Sequence, residues 1–186
     1  MSKLAMRHAK IRFNYNDYQL LPEDKRYEIL DGDIGLVPAP SIKHQRVSRR
    51  LEMALVRHIE NSGLGEVFDA PCDVVLSEEN VLQPDLLFVR KERAGIIGEL
   101  NIQGPPDLVI EILSAGTMDK DRELKRKIYG GFGVLEYWIV DPDEETVEVL
   151  AWSEAGFITA GTYLKSDCIS SALLPDLKLV LTQVFD

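Results

Sequence analysis

The sequence predicts an α+β (α/β-like) fold: a mixed, mostly β core flanked by helices. Three observations predict it. Apolar runs of strand length recur along the chain, among them QPDLLFV, DLVIEIL and LEYWIVDP. Two longer segments repeat their apolar residues at helical spacing. No internal repeat, low-complexity tract or linker separates these segments. With 186 residues, 45% of them hydrophobic, the chain suits one domain, 1–186, with a real core.

The elements follow in order. Residues 1–11 read as a loose arm. YEILDGDIGLV, 27–37, reads as an N-terminal β-hairpin around the Asp31-Gly32 turn signal. Ser41 in PAPS is placed to cap a helix from residue 42 to about 60, with Val47, Leu51, Ala54, Leu55 and Ile59 as its inward stripe. Gly63 and Gly65 follow its end. EVFDAPCDVVL (66–76) and VLQPDLLFV (81–89) read as a strand pair joined by SEEN. Residues 90–104 are charged and then glycine-rich, with room for a short helical turn. DLVIEIL (107–113) is a strand and TMDKDRELKRKIYGG (117–131) a helix ended by glycines. LEYWIVDP and TVEVLAW pair across a Pro-Asp turn. GFITAGTYL and KLVLTQVF complete a C-terminal β region with a terminal helical turn.

Composition excludes several classes. The net charge is −10 and the pI about 4.8, the reverse of a general polyanion binder, although bulk charge leaves room for a local basic face. Cys72 and Cys168 form no C-x-x-C pair, and with His8, His44 and His58 they make no zinc set. Two isolated thiols fit a reducing cytosol. The start, MSKLAMRHAKIRF, lacks the apolar core of a secretory signal, and no apolar run approaches the roughly 20 residues of a membrane span. A soluble cytoplasmic protein is expected. GGFG (130–133) follows a helix instead of opening one, and no G-x-x-x-x-G-K-[ST] run is present, so no ATP site is expected.

Two carboxylates interrupt the apolar strands. Asp85 shares a strand face with Leu87 and Val89; Glu111 shares one with Asp107, Val109 and Leu113. A buried carboxylate is costly unless paired or metal-bound. Neighbouring strands lie about 4.8 Å apart, so Asp85 and Glu111 on adjacent strands could grip one ion from opposite sides. Asp107, roughly 13 Å along its strand from Glu111, is instead a strand-start residue. Oxygen ligands suit Mg²⁺ or Mn²⁺. The competing reading puts each acid at a sheet edge, paired with a basic side chain.

These features carry a resemblance. P-D at 84–85 followed by E-I-L at 111–113 resembles the PD-(D/E)XK nuclease superfamily. Within it, the chain resembles an intracellular family of putative restriction endonucleases of unknown role. The matching stretches are YEILDG, PAPSIKHQ, QPDLLFV, PDLVIEILS, the Asp121–Lys125–Tyr129 spacing and EYWIVDP, which together span 27–142. The resemblance implies a restriction-endonuclease-like mixed β-sheet flanked by helices. It implies Mg²⁺ or Mn²⁺ held by Asp85, Glu111 and a main-chain carbonyl at Ile112, and DNA as substrate.

The superfamily pattern places a lysine two residues after the acid, where this chain has Leu113. In the family it resembles, that lysine has moved to the following helix. Asp121, Lys125 and Tyr129 share one helix face there, and Lys125 borders the apolar stripe of Leu124 and Ile128, so its amine can reach a site over the sheet. The plainer reading of Lys125 is a surface pair with Asp121, worth about 0.3–0.5 kcal/mol. Glu28 matches the family's acidic N-terminal position; it equally reads as a solvent-facing strand glutamate. His44 lies on the inward face of its helix, as a satisfied core histidine or as a phosphate or metal-supporting contact beside Gln45. Tyr129 and Trp138 read as core aromatics.

Lys120, Arg122, Lys125, Arg126 and Lys127 put five cations in eight residues, and Arg46, Arg49 and Arg50 form a second cluster. Arg46, Arg49, Lys120 and Arg122 are the expected phosphate contacts; otherwise these are ordinary solvated helix faces. The expected function is a metal-dependent endonuclease acting on DNA, with a homodimer suited to two-fold duplex cutting. The alternatives are a nuclease fold that has lost its chemistry and serves as a scaffold, and a hydrolase of a small phosphorylated molecule.

Overall fold

Strands apolar on both faces form the middle of one six-stranded sheet at the centre of the fold. The computed structural model describes residues 11–22, 24–114 and 120–186; residues 1–10 of the predicted arm, 1–11, and residues 117–119 of the second helix lie outside the described residues. The elements are α1 (Tyr15–Tyr18), β1 (Tyr27–Leu30), β2 (Asp33–Leu36), α2 (Ile42–Ile59), β3 (Gly65–Asp69), β4 (Val74–Ser77), β5 (Asn80–Leu82) and β6 (Leu86–Arg90). A 3-10 turn (Lys91–Ile96), β7 (Ile102–Gln103) and β8 (Leu108–Ile112) follow. A π-helical turn (Lys120–Lys125) then runs into α3 (Arg126–Gly131). Last come β9 (Glu136–Asp141), β10 (Thr146–Ser153), β11 (Gly156–Leu164), β12 (Cys168–Ile169), β13 (Leu179–Val180) and α4 (Thr182–Phe185).

The central sheet runs β11-β10-β9-β8-β6-β3, with β8 and β9 parallel and the other neighbours antiparallel. Parallel neighbours need a crossover, and the segment carrying α3 supplies it. A second sheet runs β2-β1-β5-β4-β7. The two faces of the central sheet are both apolar, as strands covered on both sides must be. Leu86, Phe88, Leu108, Ile110 and Ile112 face α2 and α4, meeting Val47, Leu51, Leu55, Ile59 and Val184. Val109, Leu113, Tyr137 and Ile139 face the other way, against Ile128 and Tyr129 of α3 and Leu30 and Leu82 of the second sheet. The mixed α+β architecture read from the sequence is therefore present.

Local chemistry explains most boundaries. Asp31 and Gly32 turn the first hairpin with φ of 49° and 76°, the left-handed values that a two-residue hairpin turn needs. The Ser41 side chain caps α2 by accepting the His44 N–H at 3.2 Å.

Two expectations are corrected. Residues 66–76 and 81–89 do not form one strand pair. Each splits: β3 and β6 pair within the central sheet, while β4 and β5 form a hairpin of the second sheet. Pro71 and Pro84 stand at the splits, where a residue without an N–H breaks a ladder. The predicted helix over 117–131 is α-helical only from Arg126, since Lys120–Lys125 winds as a π-turn. That wider winding changes the angular spacing on which the i, i+4 face was reckoned.

Candidate active site

The site forms where four elements end together. Leu86 of β6 pairs with Ile110 of antiparallel β8, which sets Asp85, just before β6, across from Glu111. β1 of the second sheet brings Glu28. The first turn of α2 brings His44, and the start of α3 brings Lys125 and Tyr129. Asp85, Glu111, Glu28, His44 and Lys125 line one cleft with about 80 Å³ of room, between Leu36–Pro40 and the ends of the central strands, while Tyr129 is fully buried and does not line it.

Each acid has defined partners. The Asp85 carboxylate accepts the Ile112 N–H at 2.7 Å, and the same oxygen lies 3.2 Å from His44 Nε2. Glu111 Oε1 accepts from the Tyr129 hydroxyl at 2.8 Å and from Lys125 Nζ at 3.0 Å. Glu28 Oε1 lies 2.9 Å from Lys125 Nζ and accepts the Gln83 N–H at 2.9 Å. Lys125, Glu111 and Glu28 are 5%, 4% and 8% exposed. One buried ammonium thus holds two buried carboxylates, the pairing that burial of such charges requires.

The electrostatics follow from this packing. Burial pulls the His44 imidazole down, but the hydrogen bond and charge of Asp85 outweigh it, and the net direction is up from the ordinary 6.5. Burial, then the charge of Glu111, pushes the Tyr129 hydroxyl well above its usual 10 and keeps it a donor. His44 Nδ1 is buried and has no hydrogen-bond partner among the described residues.

The sequence of the Uma2 family, described as "putative restriction endonuclease", matches residues 15–182. The chain belongs to the Uma2 family. Its fold is similar to a crystal structure described as a putative nuclease belonging to DUF820, from Anabaena variabilis. The TM-score is 0.78 at 19% identity, over 93% of this chain and 97% of that one. A comparison with curated proteins finds no match.

Within this Uma2 chain, the structure brings Asp85, Glu111, Glu28, His44, Lys125 and Ile112 to one cleft. Glu28 is buried, not solvent-facing, and Lys125 pairs with Glu111 and Glu28. The side chains of Lys120, Asp121 and Arg122 lie outside the described residues. Arg46 and Arg49 are exposed on α2 and do not line the cleft, while Arg50 donates to the Val184 carbonyl at 3.0 Å. Asp107 sits at the far end of β8, fully buried, accepting from the Arg90 N–H and Arg93 Nη1. Trp138 is core; Tyr129 is core with a hydroxyl committed to Glu111. Leu113 is packed in the core.

Among the described residues no three His, Cys, Asp or Glu converge on one metal-binding point. The donor chemistry still fits a hard cation: three carboxylates border the cleft, and a cation, the Lys125 ammonium, already lies between two of them. Residues that spacing did not reveal are Arg26, Gln83, Asp73 and Tyr18. Arg26 Nε donates to Gln83 Oε1 at 2.8 Å, and Gln83 Nε2 donates to Asp73 Oδ1 at 2.6 Å. Only Gln83, next to the P-D pair, had a signal in the sequence.

Proposed function

We propose that the chain is a metal-dependent endonuclease that hydrolyses phosphodiester bonds in DNA. The observation that carries this reading is the reach of Lys125. The residue two after the acid is an apolar core leucine, yet an ammonium from α3 lies 3.0 Å from Glu111. A nuclease site needs carboxylates for the ion and a cation near the phosphate, and this cleft joins both.

Asp85 and Glu111 would hold Mg²⁺ or Mn²⁺, with the Ile112 carbonyl as a further oxygen donor and Glu28 as a neighbouring acid on the same cleft. When bound, such an ion lowers the pKa of water and polarises a phosphoryl oxygen. Lys125 opposes the charge that grows on the phosphate and holds Glu111 and Glu28 in place. His44 and the Ile112 N–H fix the Asp85 carboxylate. Tyr129 fixes Glu111 by donating to the oxygen that also meets Lys125.

The test is cleavage of supercoiled plasmid by purified protein in Mg²⁺ or Mn²⁺, with EDTA as control. Asp85→Ala and Glu111→Ala should abolish cutting, and Lys125→Ala should reduce it by about 10²-fold or more. Cutting that survives both carboxylate substitutions would refute the assignment.

A second reading has its own observation. The Lys125 ammonium already neutralises two carboxylates, as a purely structural triad would. A scaffold of this kind would neither cut DNA nor bind Mn²⁺ in calorimetry.

A further inference from the structure

Three carboxylates border the cleft, and a phosphodiester entering it is itself an anion. Electrostatics alone would repel it unless fixed cations face it. Lys125 is one, but both Glu28 and Glu111 share its ammonium. Among the described residues, the other Lys or Arg lining the cleft is Arg26.

Arg26 is held in an unusual way. A guanidinium has five N–H donors. Here Nε donates to the amide oxygen of Gln83, a neutral partner, and the two Nη groups make no hydrogen bond or ion pair among the described residues. Gln83 is itself tied down. Its Nε2 donates to Asp73 Oδ1 and lies 3.2 Å from the Tyr18 hydroxyl, which in turn donates to Asp73 Oδ1 at 2.8 Å. Its main-chain N–H donates to Glu28. A direct Arg–Asp contact would close the guanidinium fork on a carboxylate. Interposing Gln83 instead orients Arg26 while leaving its charge and its paired Nη donors for another anion.

We propose that Arg26 binds a phosphate of the nucleic-acid strand lying in this cleft, and that Gln83, Asp73 and Tyr18 form the relay that positions it. The inference rests on the nuclease reading and names a substrate contact within it. The planar fork suits two oxygens of one phosphate.

The experiment is fluorescence-anisotropy binding of a short labelled DNA duplex to the full chain. It is run in EDTA and again with a fixed level of Ca²⁺, across about 50 to 200 mM salt. Arg26→Gln should bind about tenfold more weakly at low salt, and its log Kd against log salt should flatten by about one unit, the signature of one lost phosphate contact. Arg26→Lys should restore the slope and only part of the affinity, since lysine keeps the charge and loses the fork. Gln83→Glu, which places a carboxylate against Arg26, should weaken binding with the same flattening; because the new carboxylate also faces Asp73, its melting temperature should fall, and binding is compared at a temperature where both chains are folded.

An unchanged slope in Arg26→Gln and Gln83→Glu, with the wild type binding and cutting, overturns the Arg26 assignment and leaves the nuclease reading standing. A wild type that neither binds nor cuts DNA under either condition overturns both.

Discussion

Lys125 shows how much one residue carries in this cleft. Its ammonium is the shared partner of Glu28 and Glu111, and all three side chains are almost fully buried. Removing one partner of a buried pair leaves charge without compensation, at a cost of about 3–5 kcal/mol. Lys125→Met should therefore lower the urea midpoint of the metal-free protein sharply. Lys125→Met with Glu28→Gln should recover part of the loss. A small effect in the single variant would mean that solvent or another cation screens the acids. Tyr18 supports a pH prediction. Burial, then the hydrogen bond and charge of Asp73, raise its pKa above the ordinary 10. The folded state holds this proton more tightly than the unfolded chain, so its stabilisation is full below about pH 10 and is lost as pH rises towards the folded value. In an alkaline unfolding series Tyr18→Phe should lose less stability above pH 10 than the wild type. Parallel curves would show that Tyr18 keeps no proton beyond the unfolded chain.

At the scale of elements, α2 is the best example of sequence becoming site. Its apolar spacing buries Val47, Leu51, Leu55 and Ile59, and the same face one turn earlier delivers His44 to Asp85. Ser41 fixes the start of that helix through the His44 N–H. Ser41→Ala should cost about 1 kcal/mol in denaturant unfolding, and Ser41→Asp should restore it. Leu51→Ala should cost about 2–5 kcal/mol, because Leu51 is fully buried against the central sheet. Equal costs for the two variants would mean that the cap is more than a local contact. The strand faces of β6 and β8 were legible because alternation is a two-residue rule. The split of residues 66–89 between two sheets was not, since Pro71 and Pro84 mark breaks without saying which partner each fragment takes. The π-turn was equally hidden, because α-helical spacing assumes 3.6 residues per turn.

At the scale of the whole molecule, binding of an ion couples to stability. If Asp85 and Glu111 hold Mn²⁺ in the folded state alone, a hundredfold excess over Kd adds about 2.7 kcal/mol. For a chain of this size that is a melting shift of roughly 5–11 °C. Asp85→Ala and Glu111→Ala should abolish it. A wild type whose melting is indifferent to Mn²⁺ would remove the metal from the proposed function. The acidic whole, −10 overall, would also make the proposed DNA binding depend on a few local cations, which is why the salt slope is the informative readout.

The sequence by itself determined the mixed class, the apolar faces, the α2 stripe and the presence of an acid in each of two apolar strand segments. Each follows from a short repeat or from a residue's own backbone chemistry. Only the tertiary structure decided which cation meets which acid. Lys125 bridges Glu28 and Glu111, His44 backs Asp85, and Gln83 links Arg26 to Asp73. These partners come from different elements, and Coulomb attraction and hydrogen bonding depend on separation in space, which no periodicity along the chain encodes.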